Sequence, residues 1–127
     1  MSEHDIVLEW LQIAYDDYDT ALYLFENKLP KPLEIICYHC QQEAEKSLKA
    51  FMCMNNIDIP KIHDVGLLCS RCAELDGEFL QFQEICDEIE VYAKQTRYPS
   101  RIEAEDLNAK AALQQAFTIY NFVKDKL

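Results

Sequence analysis

Glycine is almost missing from this chain, with two in 127 residues, and proline is nearly as scarce at four. So few of either leave little room for a glycine-rich loop that cradles phosphate, and they argue against a disordered tract. Positive charge is in short supply too. Twelve Lys and Arg face 23 Asp and Glu, for a net charge of −11. Nucleic-acid affinity rests on basic side chains that displace counterions from phosphates, so a large nucleic-acid footprint is not expected and any phosphate contact must be local. No apolar run approaches the roughly 18 residues that a membrane-crossing helix needs. The opening MSEHD lacks the basic-then-apolar layout of a secretion signal. The expectation is a cytoplasmic protein with no membrane association.

What is present is a core. Half of the residues are hydrophobic, and a chain this long forms one domain, residues 1–127, that buries about two thirds of its unfolded surface. The six cysteines could suggest a secreted disulfide framework. Without a signal peptide, and with a core large enough to stand alone, reduced thiols acting as small hydrophobes are the better reading.

Helical periodicity dominates, and no segment alternates like a strand. Ser2 and Asp5 are spaced as a capping box for a first helix that turns Ile6, Trp10, Ile13, Ala14, Ala21, Leu22 and Phe25 inward. Residues 27–32 read as a loop, with Pro32 in the first turn of a second helix. That helix carries Ile36, Cys40, Ala44, Leu48 and Phe51 at three- and four-residue steps and ends at Asn55 and Asn56. Asp64 suits the N-cap of a short helix from Val65 to about Glu74, and Asp76 and Gly77 turn the chain. Phe79, Phe82, Ile85, Cys86, Ile89, Tyr92 and Ala93 form a fourth stripe, which Pro99 must end. Ser100 and Glu103 are spaced to cap a last helix bearing Leu107, Ala111, Ala116, Tyr120 and Val123. The pattern predicts an all-α protein, an up-and-down four-helix bundle with one additional short helix.

The run Cys40–Phe51, CQQEAEKSLKAF, followed by KIHD at Lys61–Asp64, resembles the signature of the HEPN domain family, small helical domains named for higher eukaryotes and prokaryotes nucleotide binding. Trp10, Ala14 and Asp17 in the first helix and TRYP at Thr96–Pro99 extend the likeness over nearly the whole chain. The resemblance implies the helical fold, a homodimer, and a nucleotide ligand rather than a fixed cofactor. It also implies a separately encoded small nucleotidyltransferase as partner, as in toxin–antitoxin pairs. It points to Arg97 and Tyr98 of the RYP run, to His63, and to Lys46 and Lys49 as ligand-binding residues. Each has a plainer reading. Lys94, Arg97 and Arg101 are cations at a helix end, where they complement the helix dipole. His63 beside a cap can simply order its loop, and Glu45 precedes Lys49 by four residues, the favourable order for a helical ion pair.

Ribonuclease members of the family carry an Arg followed four to six residues later by His. No such pair occurs here, so the usual base and phosphate clamp are lacking and the sequence favours a non-catalytic module. A divergent ribonuclease using Arg97 with His63 is the enzymatic alternative. A metal-stabilised interaction protein is the third, because Cys37/Cys40 and Cys69/Cys72 are two C-x2-C pairs and zinc takes four thiolates. Against zinc, residues 41–68 make a 28-residue spacer, longer than in a zinc ribbon, and both pairs fall in helical patterns. Seven acids between Cys72 and Ala93 (Glu74, Asp76, Glu78, Glu84, Asp87, Glu88 and Glu90), with no Lys or Arg, read as a solvated face or as a docking surface for a basic partner. Some of Tyr15, Tyr18 and Tyr23, on differing faces of the first helix, are expected at an interface.

Overall fold

A computed structural model describes residues 1–95 and 105–127. Five helices, α1 (Glu3–Asn27), α2 (Leu33–Met54), α3 (Val65–Leu75), α4 (Gln83–Gln95) and α5 (Asp106–Lys124), follow in order, with a 3-10 turn at Gly77–Phe82 before α4. No strand occurs among the described residues. The four longer helices form the bundle with α3 as the short addition. α2 is the central member, packing on α1, α5, α4 and α3.

Local chemistry explains the boundaries. Ser2 and Asp5 close the capping box of α1, with Ser2 N–H donating to Asp5 Oδ2 and Asp5 N–H to Ser2 Oγ, both at 3.1 Å. Pro32 is the N-cap of α2 and lies one position outside the expected first turn. At the other end Asn56 takes φ 59, the left-handed conformation that asparagine tolerates after a helix. Asp64 caps α3 by accepting from Leu67 N–H at 3.0 Å. Beyond it the expected single helical stripe is split. Asp76 accepts from Glu78 N–H at 3.0 Å and starts the 3-10 turn, which inserts Phe79 and Phe82 into the core before α4 begins. α5 starts at Asp106 with Glu105 N–H donating to Asn108 Oδ1 at 3.0 Å. The expected caps at Ser100 and Glu103, and the stop at Pro99, lie outside the described residues.

The second helix's row Ile36, Cys40, Ala44, Leu48 and Phe51 is buried throughout. In α1 most of the expected inward face holds, with Ala14 and Ala21 buried and Trp10, Leu22 and Phe25 packed against the core, but two of its residues point out. Val7, Leu11, Ala14 and Ala21 are buried, whereas Ile6 and Ile13 are exposed at 38% and 45%. α1 packs on both α2 and α5, and against α5 Tyr18 stacks on Phe117 with ring centres 4.1 Å apart while Tyr15 meets Tyr120 at 5.9 Å. Leu107 is also exposed, at 75%, because helical spacing puts it opposite Ala109, Ala112 and Ala116. The two C-x2-C pairs divide between separate core clusters, Cys37 and Cys40 in one and Cys69 and Cys72 in the other. That separation overturns a four-thiolate zinc site. Among the described residues no cluster of three or more metal-ligating side chains forms.

One buried acid is uncompensated. Glu43 of α2 is fully buried, and neither carboxyl oxygen has a hydrogen-bond partner, nor does Ser47 Oγ one turn on. Burial, with the Asp17 charge adding to it, pushes the Glu43 carboxyl up to about 9, so it is neutral at pH 7. The folded state therefore holds a proton that the unfolded chain releases above its ordinary 4.5. Stability is fullest below that value and falls as pH rises toward 9. Glu43→Gln is expected to flatten the pH dependence of urea unfolding between these limits and to gain a few kcal/mol at pH 8. An unchanged slope would show that Glu43 keeps the same pKa in the folded and unfolded chain.

Candidate functional site

The site grows from the second-helix motif. Glu45 is 1% exposed, and a carboxylate so far from water needs opposite charge. Lys46 Nζ and Lys49 Nζ donate to its Oε2 at 2.9 and 3.2 Å. Burial alone would raise the Glu45 carboxyl, but the Lys46 hydrogen bond and the two ammonium charges outweigh it and hold the group below the usual carboxylate range. His63 Nδ1 approaches the same carboxylate at 3.4 Å from the α2–α3 connection, with its side chain 77% exposed. The expected Glu45–Lys49 ion pair is thus present, and it is buried rather than solvated.

The paired glutamines build the wall. Lys46 Nζ also donates to Gln42 Oε1 at 2.9 Å, Gln42 Nε2 to Gln41 Oε1 at 2.7 Å, and Gln41 Nε2 to the His63 carbonyl at 2.8 Å and Glu90 Oε1 at 3.3 Å. Glu90 Oε1 accepts as well from Val65 N–H, at 2.9 Å. A continuous chain of bonds therefore joins α2, the first turn of α3 and α4.

These elements enclose an open cleft of about 480 Å³, lined by Tyr38, Gln41, Gln42, Lys46, His63, Asp64, Glu90, Ala93 and Lys94. Of the residues singled out in sequence, Lys46 and His63 meet at the cleft and Lys49 lies beneath it, 4% exposed. Arg97, Tyr98 and Arg101 lie outside the described residues. Lys94, read in sequence as a helix-end cation, is exposed and lines the cleft. Tyr38, Gln41 and Glu90 were not foreseen as site residues. The signal for Gln41 was its position one turn before Glu45 on the same helix. Nothing in sequence linked Glu90, 49 positions from Gln41, to the site.

The cleft can supply an aromatic ring, amides and cations without the neighbourhood's acidity. Lys46, Lys49 and Lys94 balance Glu45, Asp64 and Glu90, so the site is near neutral in a chain of net charge −11. The acids of the α3–α4 region are partly spoken for. Asp76 and Glu78 take Lys126 at 2.8 and 3.6 Å, and Asp87 accepts from Gln83 at 3.1 Å.

The sequence model of the HEPN domain matches residues 7–126. Among solved structures, a crystal structure of a Thermus thermophilus protein superposes with a TM-score of 0.78 at 24% identity, covering 95% of this chain and 98% of that one. An archaeal HEPN homologue superposes with a TM-score of 0.74 at 22% identity, covering 94% and 96%. At these identities the likeness shows the fold. None of the curated proteins matches the sequence.

The Glu45 cluster yields a prediction that separates its members. Glu45→Ala strands Lys49 in the core and is expected to cost about 3–5 kcal/mol, whereas Asp64→Ala, which removes only the α3 cap, costs about 1 kcal/mol. Chemical denaturation of the two variants checks it, and equal losses would contradict a buried charge cluster.

Proposed function

Because the chain belongs to the HEPN domain family, we propose that it is a non-catalytic module that binds a nucleotide in the cleft between α2, the start of α3 and α4. The observation that carries this reading is the cleft's composition. An aromatic side chain, Tyr38, stands with the Gln41 and Gln42 amides and the Lys46 and Lys94 cations around a space of about 480 Å³, within the range that small-molecule sites occupy. A base stacks on Tyr38, the amides meet its polar edge, and the phosphates lie toward the lysines. Lys46 keeps attractive charge for such a ligand because Glu45, its partner, is shared with Lys49. Arg97 and Tyr98, which the family resemblance points to as ligand-binding residues, follow Lys94 by three and four positions in the sequence.

The module works as a homodimer with a separately encoded small nucleotidyltransferase, in a toxin–antitoxin-like pair in the cytoplasm. Support for protein contacts comes from α1, where Ile6, Ile13, Tyr15 and Tyr23 are exposed apolar or aromatic side chains. No described helix is long and apolar enough to cross a membrane.

A ligand that binds only the folded state must raise its stability, by about 2.7 kcal/mol at a hundredfold excess over Kd. Nucleoside mono-, di- and triphosphates, with and without magnesium, are therefore expected to raise Tm by several degrees. Tyr38→Ala, Lys46→Ala and Arg97→Ala each lose tenfold or more in affinity, with unliganded Tm measured alongside. Absence of a shift with every nucleotide would leave a partner-binding adaptor without this ligand. Sedimentation equilibrium is expected to give twice the chain mass and, for Ile13→Glu, a shift toward monomer. A monomeric parent chain would reject the dimer.

A further inference from the structure

α3 and α4 run antiparallel in a fixed register. Val65 N–H bonds Glu90 at 2.9 Å, and the Gly66 carbonyl accepts from Gln83 Nε2 at 2.9 Å. Ser70 Oγ donates to Gln83 Oε1, also at 2.9 Å. The approach is close. A Cβ at Gly66 would meet the Asp87 carboxylate, the end of a side chain that would have to move aside. One turn along both helices from the Val65–Glu90 bond stand Cys69 and Cys86, four residues after Val65 and four before Glu90. Both are fully buried in the same core cluster, and Cys69 Sγ lies 3.3 Å from the Phe79 carbonyl. Cys72, on the same helix, is directed elsewhere, with its Sγ 3.6 Å from the Leu48 carbonyl.

We propose that Cys69 and Cys86 are a redox pair that closes a reversible disulfide across the α3–α4 seam, one turn from the bond that fixes the cleft wall. The oxidant is a peroxide. One thiolate attacks the O–O bond, giving a sulfenic acid and hydroxide. The second sulfur then attacks the sulfenic sulfur, forming the S–S bond, and the sulfenic oxygen leaves as water. Two electrons and two protons pass from the thiols to the peroxide, which ends as two waters, and a dithiol reductant reverses the change. Access comes through opening of α3, 11 residues long and the shortest α-helix among the described residues. The antiparallel register sets the two residues opposite each other across the seam, the placement a bridge between the helices requires. The bridge restrains α3, whose first turn carries Asp64 and Val65 at the cleft, and it forms whatever the cleft binds.

The test treats the purified full chain with hydrogen peroxide, then denatures and alkylates it. The expected result is a Cys69–Cys86 link by peptide mapping, absent after dithiothreitol, with amide exchange in α3 slowed tenfold or more in the oxidised form. Cys86→Ser, given the same treatment, should show neither the link nor the slowing. Should that variant not fold, the parent chain's peptide map still decides. Six alkylated thiols, a link between Cys69 and Cys72, or α3 exchange unchanged by oxidation would overturn the proposal. Nucleotide binding is not read in any arm, so a failure here is distinct from a failure of the cleft's ligand.

Discussion

The ion cluster around Glu45 is the constraint on which most of the site depends. A carboxylate taken out of water costs several kcal/mol unless opposite charge and hydrogen bonds replace its hydration. α2 supplies both from its own sequence, one residue and one turn later, as Lys46 and Lys49. Lys46 in turn orients Gln42, Gln42 orients Gln41, and Gln41 holds the His63 carbonyl. The α2–α3 connection is thereby placed by a charge buried on α2, and the KIHD segment acquires a fixed position over EK. Two sequence motifs separated by the nine residues 52–60 are one structural unit for this reason.

A second constraint is closeness. At Gly66 the Asp87 carboxylate occupies the space a side chain would take, and along the same seam the Glu90 carboxylate reaches both Val65 N–H and Gln41. Glu90 is one of seven acids that look interchangeable in the sequence. Its role differs from that of Glu84 or Glu88 because α4 turns it toward the donors of two other helices. With only two glycines in the chain, one of them serves this approach, and backbone freedom was not the reason, since no glycine has positive φ.

The helices were legible in sequence because their signals are local. Caps such as Ser2 and Asp64 and the row Ile36 to Phe51 depend on spacing along one segment. Which face of α1 turned inward was harder to read. Ile6 and Ile13 on one flank and Val7 and Leu11 on the other offer competing stripes, and the choice is made by packing on α2 and on α5, the latter about a hundred residues later in the chain. Likewise the 3-10 turn at Gly77–Phe82 carries the same apolar spacing as a helix, so periodicity did not distinguish it. At the site, His63 and Lys46 were visible as motif residues. Their meeting at one cleft with Tyr38 and Glu90 was not, since it depends on helix packing, which no single segment encodes.

Glu43 and Glu45 show how packing rather than residue type sets charge. They stand two positions apart on α2, both buried, and helical geometry points them to different sides. Glu45 meets two ammonium groups and is held ionised. Glu43 meets the α1 side, where the Asp17 charge repels it, and stays protonated. As a result α2 carries its charge on the cleft side and none toward the core between α1 and α5. For a chain of net charge −11 this arrangement has a consequence at the cleft. An ionised Glu43 would add a further negative charge behind a site already balanced between three lysines and three carboxylates, and keeping it neutral leaves Lys46 and Lys94 to set the potential that an anionic ligand meets.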